Sequence, residues 1–215
     1  MGKKIKTIIF DFDGTIADTL PFTFEKIIEI AKKHRIKQEN EIVKKIRTLS
    51  PKDLFAEFKI SWFKIPFILW DIHQAQKQLY LQIDKIKIFP GIKFVLKQLK
   101  KRKIKLLIYS SNLKKNIEKF LEKEKINKYF DEIYVGKNLL GKDKDLLEIL
   151  KKECLKKEEV LYVADEIRDV LACHKAGIKM VGVCWGLAGE KGLRKYKVDY
   201  LIKKPRDLLK LKIYS

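Results

Sequence analysis

Two aspartates one residue apart, Asp11 and Asp13, stand at the end of an apolar run in "IIFDFDGT". Side chains alternate between faces along an extended chain, so both carboxylates point the same way while Phe10 and Phe12 point the other. Like charges side by side at the rim of an apolar core repel each other and lose water. Such a pair persists where a cation sits between its members, so the stretch is a candidate for metal binding and for chemistry on an anion. Other apolar runs also end in polar residues: Ser110, Ser111 and Asn112 follow "LLIY", and Asp165 follows "VLYVA".

The periodicity of apolar residues predicts the elements that must position these groups. Residues 5–10 read as a strand. From Pro21 to about Lys87 the apolar spacing is three to four, as in "TFEKIIEIAKKH", "ENEIVKKIRTL", "PKDLFAEF" and "PFILWDIHQAQKQLYLQI", which predicts helices only. After "FPGI" strands ("IKLLIYS", "FDEIYVG", "EVLYVAD", "KMVGVCWG") alternate with helices ("LKKNIEKFLEKEKI", "KDLLEILKKECL", "IRDVLACHKAGI"). A short "DYLI" strand and a last helix close the chain. This alternation predicts an α/β fold, a Rossmann-like parallel sheet with helices on both faces, and an all-helical segment inserted after the first strand. The expected division is a core of residues 1–17 and 88–215 and a helical unit of residues 18–87. Ligands of open α/β sheets bind beyond the carboxyl ends of the strands, where strand order reverses. The scattered acids and hydroxyl are therefore expected to converge on one rim.

A chain of 215 residues is long enough for one good core and a modest accessory unit. Its net charge of +21 comes from lysine, since only six of its 49 basic residues are arginine. The lysines run through every segment, with no track of Arg forks and interleaved aromatics on one face. A solvated basic surface is the expectation, and nucleic-acid binding is not expected. No apolar run reaches ~18 residues, so no membrane span is expected. The start of the chain lacks the pattern of a secretory signal. Cys154, Cys173 and Cys184 form no C-x-x-C, which fits a reduced, cytoplasmic setting.

Taken in order, "DFDGT", the strand ending in Ser110, the pair Gly141–Lys142 and "ADEIRD" at 164–169 form a pattern. It resembles the four motifs of the haloacid dehalogenase-like (HAD) hydrolase superfamily, from Ile8 to about Leu208. More narrowly it is similar to the phosphoglycolate phosphatase and β-phosphoglucomutase branch, whose members carry a helical cap after the first motif. The resemblance implies that Asp11 is a nucleophile toward phosphorus and that Asp13 is the general acid and base. It implies a Mg²⁺ site built on Asp11, Asp13 (through its backbone carbonyl) and Asp165, with Glu166 a rival ligand and Asp169 acting through ligand water or the lysine. Gly14 lets the chain turn close to the phosphate, and Thr15 fixes that turn. Ser110 would bind a phosphate oxygen, with the backbone N–H groups of Ser111 and Asn112. Lys142 would neutralise nucleophile and phosphate, with Lys144 its rival. Two positions depart from the family pattern: Asp143 follows the lysine where Pro is usual, and Ala164 stands where Gly is usual.

The implied activity is Mg²⁺-dependent hydrolysis of a small phosphorylated metabolite through an aspartyl-phosphate. A phosphomutase is the enzymatic alternative, and a basic nucleic-acid-associated protein or polynucleotide 3′-phosphatase is the remote one. Arg47, in "RTLSPKD", is a candidate substrate contact in the cap. Asp18 serves equally as an acidic neighbour of the first motif or as a helix cap. His34, His73 and His174 show no ligand spacing and read as surface or boundary residues. Trp62, Phe63, Phe67 and Trp70 read as cap core in preference to a substrate stack.

Overall fold

The computed structural model describes residues 4–136 and 142–212. Its central strand β1 (Thr7–Phe10) is buried at every position. Parallel strands β4 (Lys105–Ser110) and β6 (Val160–Ala164) flank it, with Phe10 level with Ile108 on one side and Val163 on the other. The sheet is completed by β5 (Glu132–Val135) outside β4, and by β7 (Lys179–Val183) and β8 (Tyr200–Ile202) outside β6. In sheet order the strands run β5-β4-β1-β6-β7-β8, all parallel, so the order reverses between β1 and β6. A strand covered on both faces needs apolar residues on both, which is why "TIIF" does not alternate in polarity.

Ile8 and Phe10 face one layer, packing with Leu96 of α5 (Ile92–Lys101) and with Ile117 and Phe120 of α6 (Lys114–Lys123). Ile9 faces the other, with Leu146 of α7 (Lys142–Lys152) and Val170 of α8 (Ile167–Ala176). The expected parallel α/β sheet with helices on both faces is what the chain forms.

Between β1 and α5 lies the helical insert: α1 (Leu20–Lys33), α2 (Glu39–Lys45), α3 (Pro51–Glu57) and α4 (Ile65–Gln82). The two crossings of the chain pair as a short antiparallel ribbon, β2 (Ala17–Asp18) with β3 (Lys87–Ile88). Ser50 caps α3 by accepting the Asp53 N–H at 3.2 Å, and Pro51 follows at the first helical turn, where its missing N–H costs nothing. Trp62, Phe63, Phe67 and Trp70 correct the expectation of cap core: they are 62–69% exposed. On α4 the buried stripe is Ile68, Ala75 and Leu79, spaced seven and four residues apart. At 100° per residue Phe67 and Trp70 fall on other faces of the helix.

The insert is docked onto the core at two places. The Tyr196 hydroxyl, just after α9 (Gly189–Lys195), accepts the Ser50 N–H at 3.1 Å and lies 3.0 Å from an Asp53 carboxylate oxygen. On the other side Gln76 Nε2 donates to the Ser111 carbonyl at 3.0 Å, and Asn116 Nδ2 donates to the Gln76 carbonyl at 2.7 Å. At the first dock the backbones nearly touch, because a Cβ on Gly192 would lie 2.2 Å from the Arg47 carbonyl oxygen. Gly192→Ala must therefore push the insert off the core. We expect kcat/KM to fall by roughly 10- to 100-fold, the scale of a 1 Å misplacement of catalytic parts. Thermal unfolding of the core should move little, and steady-state kinetics beside a melting curve checks both.

Candidate active site

β1 delivers Asp11 to the carboxyl edge of the sheet at the reversal point, and β6 delivers Asp165 beside it. Asp11 is 1% exposed and its backbone N–H bonds the Val163 carbonyl, continuing the ladder. From the far side of the sheet edge α7 supplies Lys142, which is 3% exposed. Its ammonium lies 3.2 Å from Asp11 Oδ1 and 2.5 Å from Asp169 Oδ1. Lys144, the rival lysine, is exposed. Gly141 and Lys137 lie outside the described residues.

Asp13 is half-buried, and Asn112 Nδ2 donates to both of its oxygens, at 3.1 and 2.9 Å. Asn112 is fixed in turn. Its Oδ1 accepts the Leu113 N–H and Asn116 Nδ2, each at 2.7 Å, and its backbone N–H donates to Ser110 Oγ at 3.1 Å. The strand end at Ser110 is thus a tight turn stapled by its own hydroxyl, and it sets the orientation of Asp13. Thr15 donates through Oγ1 to Asp165 Oδ1 at 3.0 Å, and the Leu187 N–H bonds Asp165 Oδ2 at 2.6 Å. Gly14, at φ +69°, and Gly186 leave room for this carboxylate, since a Cβ on either would lie 2.1 Å from an Asp165 atom. Asp165 locks the turn after β1 to the loop after β7.

Glu166 and Arg168 sit at the mouth of the same site. The guanidinium is ion-paired with Glu166, its Nε 2.6 Å from one carboxylate oxygen and its Nη2 donating to the other at 2.7 Å, and Nη2 also donates to Ser111 Oγ at 3.2 Å. The sequence offers Glu166 as a rival ligand and gives no sign of Arg168. A pair of opposite charges two residues apart at the start of a helix does not stand out in a chain that is 36% charged.

Among the described residues, the acidic groups whose oxygens come within 4.8 Å of one another are Asp11, Glu166 and Asp169. The set expected for a metal, Asp11, Asp13 and Asp165, shares only Asp11 with this cluster. Arg47, the expected cap contact, lies with its carbonyl against Gly192 and is not among the residues lining the cavity described below.

The electrostatics of the cluster point to a missing positive charge. Burial pushes the Asp11 carboxyl up to about 8, against the pull of Lys142 and with the help of Asp169. Burial also raises Asp165 well above its usual range, reinforced by Glu166 and Asp11, and raises Asp13 against the bond from Asn112. Glu166 is an exception: burial pushes it up, but Arg168 and Lys142 together hold it below the usual range. Burial alone would lower Lys142, but Asp11 and Asp169 hold it above the usual lysine value. Among the described residues, five carboxylates at this edge thus face two cations. The buried Asp169 Oδ2 finds no hydrogen-bond partner among the described residues. Clustered, hard oxygen donors with unbalanced negative charge fit a divalent cation of the Mg²⁺ type.

A cavity of about 290 Å³ opens above this edge. Asp13, Ser111, Asn112, Glu166 and Arg168 line its floor, and residues of α1 to α4 form its walls. No helix among the described residues is long and apolar enough to cross a membrane.

Comparison with known proteins gives the same grouping. The sequence profile of the family "Haloacid dehalogenase-like hydrolase" matches residues 8–183. The chain is 31% identical to a phosphoglycolate phosphatase of Synechococcus elongatus over 211 residues, covering 95% of this chain and 96% of that one. It is 26% identical to the pyrophosphatase PpaX of Bacillus mycoides, covering 96% of each chain. Its fold matches a haloacid dehalogenase-like family hydrolase of Streptococcus pneumoniae at a TM-score of 0.76 and 22% identity, over 96% of this chain and 97% of that one.

Proposed function

The chain belongs to the haloacid dehalogenase-like hydrolases, in the capped branch that includes phosphoglycolate phosphatase and PpaX, and from that premise we propose how it works as a phosphatase. It hydrolyses a phosphorylated metabolite in two steps, with Mg²⁺ as cofactor and Asp11 as nucleophile. Residues 1–17 and 88–215 act as the catalytic core and residues 18–87 as the cap. The observation that carries this reading is the buried contact of Lys142 with Asp11 at the strand reversal, with Asp13 two residues on.

In the first step an Asp11 oxygen attacks phosphorus, the bond from phosphorus to the alcohol oxygen breaks, and protonated Asp13 gives its proton to that leaving oxygen. The raised pKa of Asp13 suits an acid, and the bonds from Asn112 hold its carboxyl in one place. In the second step water attacks the aspartyl-phosphate and Asp13 takes its proton, so inorganic phosphate leaves and both aspartates return to their first state. Lys142 offsets the charge that builds where Asp11 meets the phosphoryl oxygens, and Asp169 keeps that ammonium in place. Ser110 and the backbone N–H of Ser111 are proposed to meet the phosphate, while Thr15 and Asp165 keep the turn around it rigid. Carboxylates of the cluster around Asp11 would hold Mg²⁺, which would supply the positive charge that lets a carboxylate approach a phosphate dianion.

Phosphoglycolate, named for the Synechococcus relative, and pyrophosphate, named for the Bacillus one, are the reference substrates. The phosphomutase alternative uses the same residues and gains no separate support from the site. Treatment with EDTA is expected to abolish release of phosphate from an aryl phosphate, and Mg²⁺ to restore it. Full activity in metal-free protein would refute the reading.

A further inference from the structure

The cavity above the phosphate edge has a composition that neither reference substrate explains. Its floor is polar, but its walls are apolar: Phe22, Ile30, Ile46, Leu54, Ile72 and Leu79 come from three of the four cap helices and the loop after α2. The insert's own buried cluster is small, Ala31, Ile42 and Leu54 with partly buried neighbours such as Ile27 and Phe58 packed against it, and these residues line the cavity. Among the described residues, two cationic side chains line the cavity, Lys26 and Arg168. Both are already matched. Arg168 is ion-paired with Glu166, and Lys26 lies 2.7 Å from Glu29 and 3.6 Å from Glu25. The neutral amide of Gln76 is bonded to the Ser111 carbonyl.

A second anionic group on a substrate, such as the carboxylate of phosphoglycolate or the second phosphate of pyrophosphate, would meet no unpaired cation among the described residues that line this space. Burying such a charge unpaired is costly. An apolar body would instead leave water for matching walls. An engineered apolar cavity of ~150 Å³ takes up benzene, so one of about 290 Å³ admits a body larger than a single ring.

We propose that this cavity is the leaving-group pocket and that the substrate is the phosphomonoester of an apolar alcohol, its phosphate on Asp11 and its hydrocarbon body inside the cap. The proposal rests on the phosphatase reading above for the reaction and on the cavity alone for the substrate class. The test is phosphate release with Mg²⁺ from n-alkyl phosphates, ethyl to hexyl, with phosphoglycolate and pyrophosphate as references. Full burial of a methylene is worth ~0.8 kcal/mol, so kcat/KM should rise roughly two- to fourfold per carbon, putting hexyl phosphate at least ~10-fold above ethyl phosphate. Hexyl phosphate should also exceed both references. Ala75→Phe, which places a ring among the cavity walls, should flatten that slope.

Binding of ethyl- and hexylphosphonate to the unaltered protein, followed by calorimetry, gives a second readout that needs neither turnover nor a variant. Hexylphosphonate should bind more tightly and with the negative heat-capacity change of apolar burial. A flat or falling series, or preference for either reference compound, would overturn the proposal. If nothing is turned over, the reaction reading fails, and the phosphonate series still decides the pocket.

Discussion

Asp11→Asn should lower kcat by at least ~10³-fold, the scale seen when an essential catalytic group is removed. The substitution keeps shape and volume at a position 1% exposed, so the fold should survive it. What it removes is the oxygen nucleophile, and no neighbour can replace it. Asp13 is held by Asn112, Asp165 is locked between Thr15 and Leu187, and Asp169 is tied to Lys142. The change also removes one of the like charges crowded at the strand edge, so the variant should be at least as stable as the parent. Loss of activity with retained or increased stability separates a chemical role from a structural one. Urea unfolding beside steady-state kinetics makes the distinction, and an active Asp11→Asn enzyme would point to another nucleophile.

Lys142→Met has the second largest expected effect, and it falls on activity and stability together. Lys142, Asp11 and Asp169 have side chains that are 1–2% exposed, so almost no solvent screens them. Removing one partner from a buried charge cluster typically costs ~3–5 kcal/mol, because the charges left behind are uncompensated. Unfolding in the absence of metal should show a loss of that order. Activity should fall by at least ~10²-fold, as for loss of one electrostatic donor to a reacting oxygen. Adding Asp169→Asn to Lys142→Met should recover part of the stability and none of the activity. A Lys142→Met protein as stable as the parent would mean that Asp11 and Asp169 are not held together by this ammonium.

The elements that can be read from a sequence are those long enough to show a period. β1, β4 and β6 appear where apolar runs predict them, and α1, α4, α7 and α8 follow from spacing of three to four. The ribbon of β2 and β3 escapes, since two residues a side carry no period. α9 escapes as well, because "GEKGLRK" holds two glycines and one large apolar residue. The last helix is there, but as a 3₁₀ segment over Pro205–Lys210.

Polar residues at strand ends were legible for a related reason: a strand that ends in Asp or Ser must present it at the sheet edge, whatever the tertiary detail. The choice between Lys142 and Lys144 could not be made from composition in so basic a chain. On the helix Lys142 is buried and Lys144 exposed, because residues two apart lie about 200° apart around the axis and cannot both face the core. Arg168 and the inner faces of the cap were not legible, since they depend on how α8 and the insert meet. The aromatic cluster at 62–70 is exposed against expectation because hydrophobicity says nothing about which side of a helix has a partner.

The account turns on a covalent bond between phosphorus and Asp11. The direct measurement is acid quenching of the enzyme during turnover with Mg²⁺, followed by peptide mass mapping after reductive cleavage of the labile acyl phosphate with borohydride. The expected result is a single modified peptide, the one containing "IIFDFDGT", with the change at Asp11 and its absence in Asp11→Asn. Modification at another residue, or efficient turnover with no trapped peptide under conditions that trap acyl phosphates, would contradict it.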